Sequence, residues 1–264
     1  MRRIKKILRT VGLRRPERRF YNPLIRTNTR KRGWSARRIN FLLPLSAVGK
    51  RYLEVGVFTA RNFEAVKAEW KVGVDPNPMF HSALLPKKVT FFRQTSDDFF
   101  QTYSGTNFDL IFLDGLHEAP NTYSDFIEAC NRLNIGGSIL IDDVLPSDQE
   151  SSLPNRDESE VAKRKSGISH MRWYGDVWRV AWLILKRYPD FDVWFIGDGI
   201  REHCQAVVRR KLSSSSPVKV QKEDLDFMAK LEYRDVVETG PGCLRSLALS
   251  ERVALERLAT FVRQ

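Results

Sequence analysis

An α/β fold, with a mostly parallel seven-stranded sheet covered by helices on both faces, is what this 264-residue chain predicts, on three observations. Short apolar runs recur from Arg51 onward, most of them apolar on both faces, as strands buried between two helix layers must be. Amphipathic stretches of helical length separate them. Strand and helix alternate, and in one sheet that rhythm implies right-handed crossovers between parallel strands, a Rossmann-like sandwich.

The first 50 residues precede that rhythm and read as a basic arm. Residues 1–51 hold seventeen Lys or Arg against the single acid Glu17, so this stretch carries +16 of a chain total of +12, and the rest is slightly acidic. Ile4, Ile7, Leu8 and Val11 recur at helical spacing among the basic residues. A basic amphipathic helix suits an anionic membrane surface, an acidic partner or RNA, whereas like charges also favour a solvated arm that folds against nothing. Nucleic acid is disfavoured as the substrate, because the remaining chain is acidic and holds no RNA- or DNA-reading motif.

Residues 51–212 form the predicted ligand-binding domain. The strands fall at 52–57, 71–75, 89–94, 109–114, 138–143, 192–197 and 204–210, and the helices at 60–69, 78–84, 97–103, 122–133 and 176–188. Residues 147–169 are polar and apolar-poor and follow a strand end, which reads as a mobile loop or lid. A serine tract at 213–217 opens a C-terminal extension, 213–264, with helices at 222–233 and 250–262. No run of eighteen apolar residues and no apolar secretory segment occurs, and Cys130, Cys204 and Cys243 lack metal or disulfide spacing. A cytoplasmic protein with reduced thiols is expected, its arm able to touch a membrane peripherally.

In an open parallel sheet, ligands bind outside the carboxyl ends of the strands, where strand order reverses. Strand one ends in Glu54-Val55-Gly56 and strand two in Asp75, about twenty residues beyond the glycine loop. An acid so placed can accept both ribose hydroxyls of a nucleoside. The loop has neither the GxGxxG spacing of a dinucleotide site nor the GK[ST] of a P-loop, so NAD and ATP are disfavoured.

These residues, across roughly 51–199, resemble the class I S-adenosylmethionine (SAM)-dependent methyltransferases. The resemblance implies that Glu54 and Gly56 pass over the methionine half of SAM, that Asp75 holds the ribose, and that Ser96 with Asp97 meets the adenine. Ala60 stands where the family's loop usually has a second glycine. It adds one methyl group and restricts φ, and the loop still reads as functional.

Asp114 and His117 follow strand four, and Asp142 and Asp143 end strand five, on the same sheet edge as the loop. Three carboxylates and an imidazole at one rim would repel strongly without a counterion, which points to a hard divalent cation, magnesium before zinc. FLDGxH followed by LNxGGxIxxDD is similar to the metal-dependent sugar O-methyltransferases, the macrocin O-methyltransferase-like group. That resemblance implies Asp114, Asp142 and Asp143 as Mg2+ ligands, Asp114 or His117 as the base, and a hydroxyl of a glycan or glycosylated metabolite as acceptor. Trp173-Tyr174-Gly175-Asp176 could wall the acceptor site, although Asp176 reads better as a helix cap. A metal-independent methyltransferase and a non-catalytic nucleoside-binding module with a polyanion-binding arm are the rival readings. Oligomeric state is open.

Overall fold

The computed structural model describes residues 33–46, 50–81, 85–86, 88–197, 204–211 and 217–235. The basic amphipathic segment at residues 1–32, the serine tract apart from Pro217, Cys243 and the helix expected at 250–262 lie outside these residues. Seven strands, β1 Arg51–Val55, β2 Trp70–Val74, β3 Val89–Phe92, β4 Phe108–Leu113, β5 Leu133–Ile141, β6 Phe191–Ile196 and β7 Gln205–Arg210, form one sheet in the order β3-β2-β1-β4-β5-β7-β6. The first five pair in parallel, and β7 runs antiparallel to β5 and β6. Strand order reverses between β1 and β4, so the crevice opens at their carboxyl ends.

Alternation along the strands separates two cores. Leu53, Val55, Ile111, Leu113, Ile139 and Ile141 join the core on one face, with the helices α3 Ser96–Thr102, α4 Ala119–Asn131, α6 Trp178–Arg187 and α7 Lys222–Lys230. Tyr52, Leu110, Phe112 and Leu140 join the other, with α1 Trp34–Leu42 and α2 Arg61–Ala65. Every residue of β4 is buried, as a central strand between two helix layers requires. Cys130 and Cys204 are buried, and Trp182 is core.

Several elements differ from the sequence reading. Helix α1 lies inside the basic segment: Ala36, Ile39 and Leu42 bury one face, and the buried Arg38 donates to the Gln205 side chain at 3.0 Å. The helix expected at 60–69 is only α2, because its C-cap Val66 is extended and the chain turns directly into β2. No helix occurs among the described residues of 78–84, where Met79 N–H instead bonds Phe58 O at 2.8 Å.

The largest correction is at 147–169, which is ordered. A 3-10 turn at Glu150–Ser152 leads to α5 Arg156–Lys165. Asn155 caps α5 by accepting from Asp157 N–H and Glu158 N–H, acids fill the first turn and three bases the last, so local electrostatics replace apolar burial. Among the described residues no helix is long and apolar enough to cross a membrane.

Candidate active site

One ladder of backbone hydrogen bonds builds the site edge. Asp75 N–H reaches Phe92 O, Gly56 N–H reaches Val74 O, Asp114 N–H reaches Val55 O, and Asp142 N–H reaches Leu113 O, at 2.9 to 3.1 Å. Each residue stands one step beyond its strand and bonds the last carbonyl next door. Residues far apart in sequence are therefore fixed side by side.

Gly56 has φ +87°, and a Cβ there would sit 1.8 Å from Asp114 O. Its glycine is thus required by the close approach of the β4 end, which brings Asp114 to the loop. Ala60, at φ 62°, is fully buried in the core with Phe63 and Val57, so its methyl group does not reach the cavity. Alanine in place of a second glycine therefore leaves the cavity side of the loop unobstructed.

A cavity of about 560 Å³ opens beyond this ladder, lined by Gly56, Phe58, Asp75, Ser96, Asp97, Asp114 and His117 among others. The Asp75 carboxylate accepts from Phe58 N–H at 2.7 Å and from Asn77 N–H at 2.7 Å, one to each oxygen. Each oxygen keeps a lone pair, which is what a ribose diol needs. Ser96 and Asp97 stand on the first turn of α3, after its cap Thr95, facing the same cavity.

Glu54 does not line the cavity. It alternates with Leu53 and Val55 and so faces the α1 and α2 side, where its carboxyl accepts from Tyr52 O–H at 2.5 Å and Asn62 N–H at 2.9 Å. Burial pushes this carboxyl up to about 8, against the opposing pull of both hydrogen bonds. It ties β1 to α2 beneath the loop and lies outside the cavity, whereas the resemblance placed it over the cofactor.

Asp114, His117, Asp142 and Asp143, the four residues expected at the rim, line one small pocket together. Ligand atoms of Asp114, His117 and Asp143 lie within 4.8 Å of one another. His117 Nδ1 is 3.1 Å from Asp143 Oδ2 and its Nε2 is 3.7 Å from Asp114 Oδ1. Burial lowers the imidazole's proton affinity, but the Asp114 hydrogen bond and the charges of Asp143, Asp114 and Asp142 outweigh it and raise His117 to about 9. Asp143 has φ 58°, a left-handed conformation rare for a non-glycine residue, and this turns its side chain to the rim. Asp142 sits beside it, with Oδ1 accepting from Asp143 N–H at 3.0 Å and Gln205 Nε2 at 3.1 Å.

The sequence reading missed most of what holds His117. Its ring stacks on Trp173 with centroids 5.0 Å apart, and Trp173 donates to Leu153 O. Gly175 at φ +63° brings the backbone so close that a Cβ would lie 1.8 Å from His117 O. Asp176 does cap a helix, but it is α4: its Oδ1 accepts from Ala119 N–H at 2.7 Å. It also pairs with Arg179 at 3.3 Å. Asp125 on α4 was missed too; it lines the cavity from a buried position.

The residues fit a nucleoside cofactor, with a hydroxyl-accepting acid at Asp75 and a second, shielded acid at Asp125. They also fit a hard cation, because the carboxylates of Asp114 and Asp143 converge at one rim.

A family model described as a methyltransferase domain matches residues 52–144. No curated protein matches the chain. Among solved structures, the O-methyltransferase TomG of Streptomyces achromogenes, involved in tomaymycin synthesis and solved with SAM, is 15% identical. The likeness covers 66% of this chain and 78% of that one, at a TM-score of 0.46. An O-methyltransferase of Bacillus cereus solved with S-adenosylhomocysteine (SAH) is 14% identical over 80% and 90% of the two chains, at 0.46. The MycE methyltransferase of mycinamycin biosynthesis, solved with Mg, SAH and mycinamycin VI, is 13% identical over 68% of this chain and 50% of that one, at 0.42.

Proposed function

We propose that this chain is a class I, SAM-dependent methyltransferase that transfers the methyl group to a hydroxyl of a glycan or glycosylated small molecule with the help of a divalent cation. The observation that carries this reading is the convergence of Asp114, His117 and Asp143 within 4.8 Å, on the rim of the cavity that Gly56 and Asp75 line. Asp75 would take the ribose hydroxyls, Ser96 and Asp97 the adenine, and the Gly56 loop the methionine half.

Asp114 and Asp143, with Asp142 beside them, would hold the cation, and oxygen ligands favour magnesium. When bound, such an ion lowers the pKa of a hydroxyl and orients it toward the sulfonium methyl. His117 would then serve as general base. Its proton is retained only by the surrounding carboxylates, so neutralising them frees the imidazole to accept the acceptor's proton. Trp173 would keep the ring in plane while it does so. Much of the rate enhancement would come from positioning, because a bimolecular methyl transfer becomes effectively intramolecular.

The 3.1 Å contact of His117 with Asp143 favours a second reading, in which this pair acts as an acid-base dyad with no metal. Chelation decides between the two. Loss of methyl transfer in EDTA with recovery on added magnesium supports the metal-assisted reading, and full turnover in EDTA refutes it. The basic segment at residues 1–32 would add peripheral contact with an anionic membrane. Deleting it should lower retention on anionic liposomes, and unchanged retention would refute that role.

A further inference from the structure

Gln205 opens β7 fully buried, a polar side chain to which the reading above gives no task. β7 runs antiparallel to β5 with Ala206 opposite Ile141, so the next step of that register sets Gln205 opposite Asp142. Residues so paired carry their side chains on one face of the sheet. Here it is the face of Leu140 and Val207, which join the core that includes Ala36, Ile39 and Leu42 of α1. Every polar group of the Gln205 amide is engaged there. Its Oε1 accepts from Arg38 Nη1 at 3.0 Å, and its Nε2 donates to Ser35 Oγ at 2.7 Å and to Asp142 Oδ1 at 3.1 Å.

The partners allow only this orientation of the amide. A guanidinium donates and an ionised carboxylate accepts, so a flipped amide would set its NH2 against Arg38 and its oxygen against Asp142. Arg38, itself fully buried, thus fixes which end of Gln205 meets Asp142. Asp142 Oδ1 also accepts from Asp143 N–H at 3.0 Å, and two donors on one oxygen fix the plane of the carboxylate. Because the amide is neutral, it orients Asp142 without cancelling the negative charge that draws a hard cation.

We infer that Gln205 is a positioning residue for the cation site: held by Arg38 and Ser35 of α1, it sets the Asp142 carboxylate at the rim shared with Asp114, His117 and Asp143. This rests on the metal-assisted reading above. It also gives α1 a task at the site, since the helix supplies both groups that hold the far side of the amide.

The test is manganese binding to the full chain in the presence of SAH, followed by the electron paramagnetic resonance of free Mn2+. SAH affinity is measured by calorimetry, and urea unfolding confirms that each variant is folded. Gln205→Met conserves volume and removes both ends of the amide. It should weaken manganese binding roughly 10- to 100-fold, as loss of a group that orients a metal ligand does, and leave SAH affinity unchanged. Gln205→Asn keeps an amide one methylene too short to span Arg38 and Asp142 and should show a loss in the same direction, so it decides the matter if Gln205→Met does not fold. Unchanged manganese affinity in a folded variant overturns the inference and leaves the cation reading standing. Equal weakening of SAH and manganese marks a merely structural role and overturns it too. Absence of manganese binding by the wild type overturns the cation reading and this inference with it.

Discussion

Replacing Gly56 with alanine should cost far more than its backbone conformation alone explains, and Gly167 provides the comparison. Both glycines have positive φ, +87° and +69°, so alanine at either is strained by about 1–2 kcal/mol. A Cβ at Gly167 meets nothing within 4 Å, whereas one at Gly56 lies 1.8 Å from Asp114 O and 2.4 Å from Asp114 C. Relieving that overlap means moving the β4 end away from the loop, a core displacement of the kind that costs about 1–3 kcal/mol more. Gly167→Ala should therefore lose about 1–2 kcal/mol, and Gly56→Ala about 2–5 kcal/mol, a large share of a typical domain's stability. Urea unfolding of both variants measures the difference. Because the overlap is with Asp114, Gly56→Ala should also weaken SAH binding, and Gly167→Ala should not. Equal losses in the two variants, with SAH affinity intact in both, would refute the claim that Gly56 exists to let the β4 end approach.

Three further outcomes are expected. Asp176→Ala removes the hydrogen bond to Ala119 N–H and the Arg179 pair, and should cost about 1–2 kcal/mol in urea unfolding while lowering turnover through the His117 loop; unchanged stability would refute the capping role. The Glu54 carboxyl is raised in the folded state, so the folded protein keeps a proton that the unfolded chain releases. Wild-type stability should thus fall, relative to Glu54→Gln, as pH rises from about 4.5 to about 8 and run parallel above that; parallel curves throughout would refute the burial argument. Asp143→Asn should leave SAH affinity intact but reduce methyl transfer at least tenfold and lower the proton affinity of His117, read by imidazole NMR titration; an unshifted His117 would refute their coupling.

The strands were legible because buried parallel strands are apolar on both faces, and β1 to β7 fall where the short apolar runs end. The site edge followed from them, since Gly56, Asp75, Asp114 and Asp142 are all first residues past a strand. What a motif does not carry is which face a side chain takes. Glu54 belongs to the loop signature yet lies one residue too early and points to the α1 side. Asp142 and Asp143 are adjacent, and only the positive φ of Asp143 decides which one meets His117.

Two misses had signals in the sequence. Thr122, Asp125 and Ala129 recur at helical spacing and all are buried, so an acid on the inward stripe of α4 could have been flagged. The cap, early acids and late bases of α5 also spell a helix in a segment too polar to look like one. Helix α1 had a weaker signal, because the charge of the basic segment masks an inward face that includes Arg38.

Cofactor binding is the claim from which the rest proceeds. Calorimetric titration with SAM and SAH, on the wild type and on Asp75→Ala, tests it most directly. The account predicts 1:1 binding of both compounds to the wild type in the micromolar range, and at least tenfold weaker binding when Asp75 no longer accepts the ribose hydroxyls. Absence of binding by the wild type, or full affinity in Asp75→Ala, would contradict it.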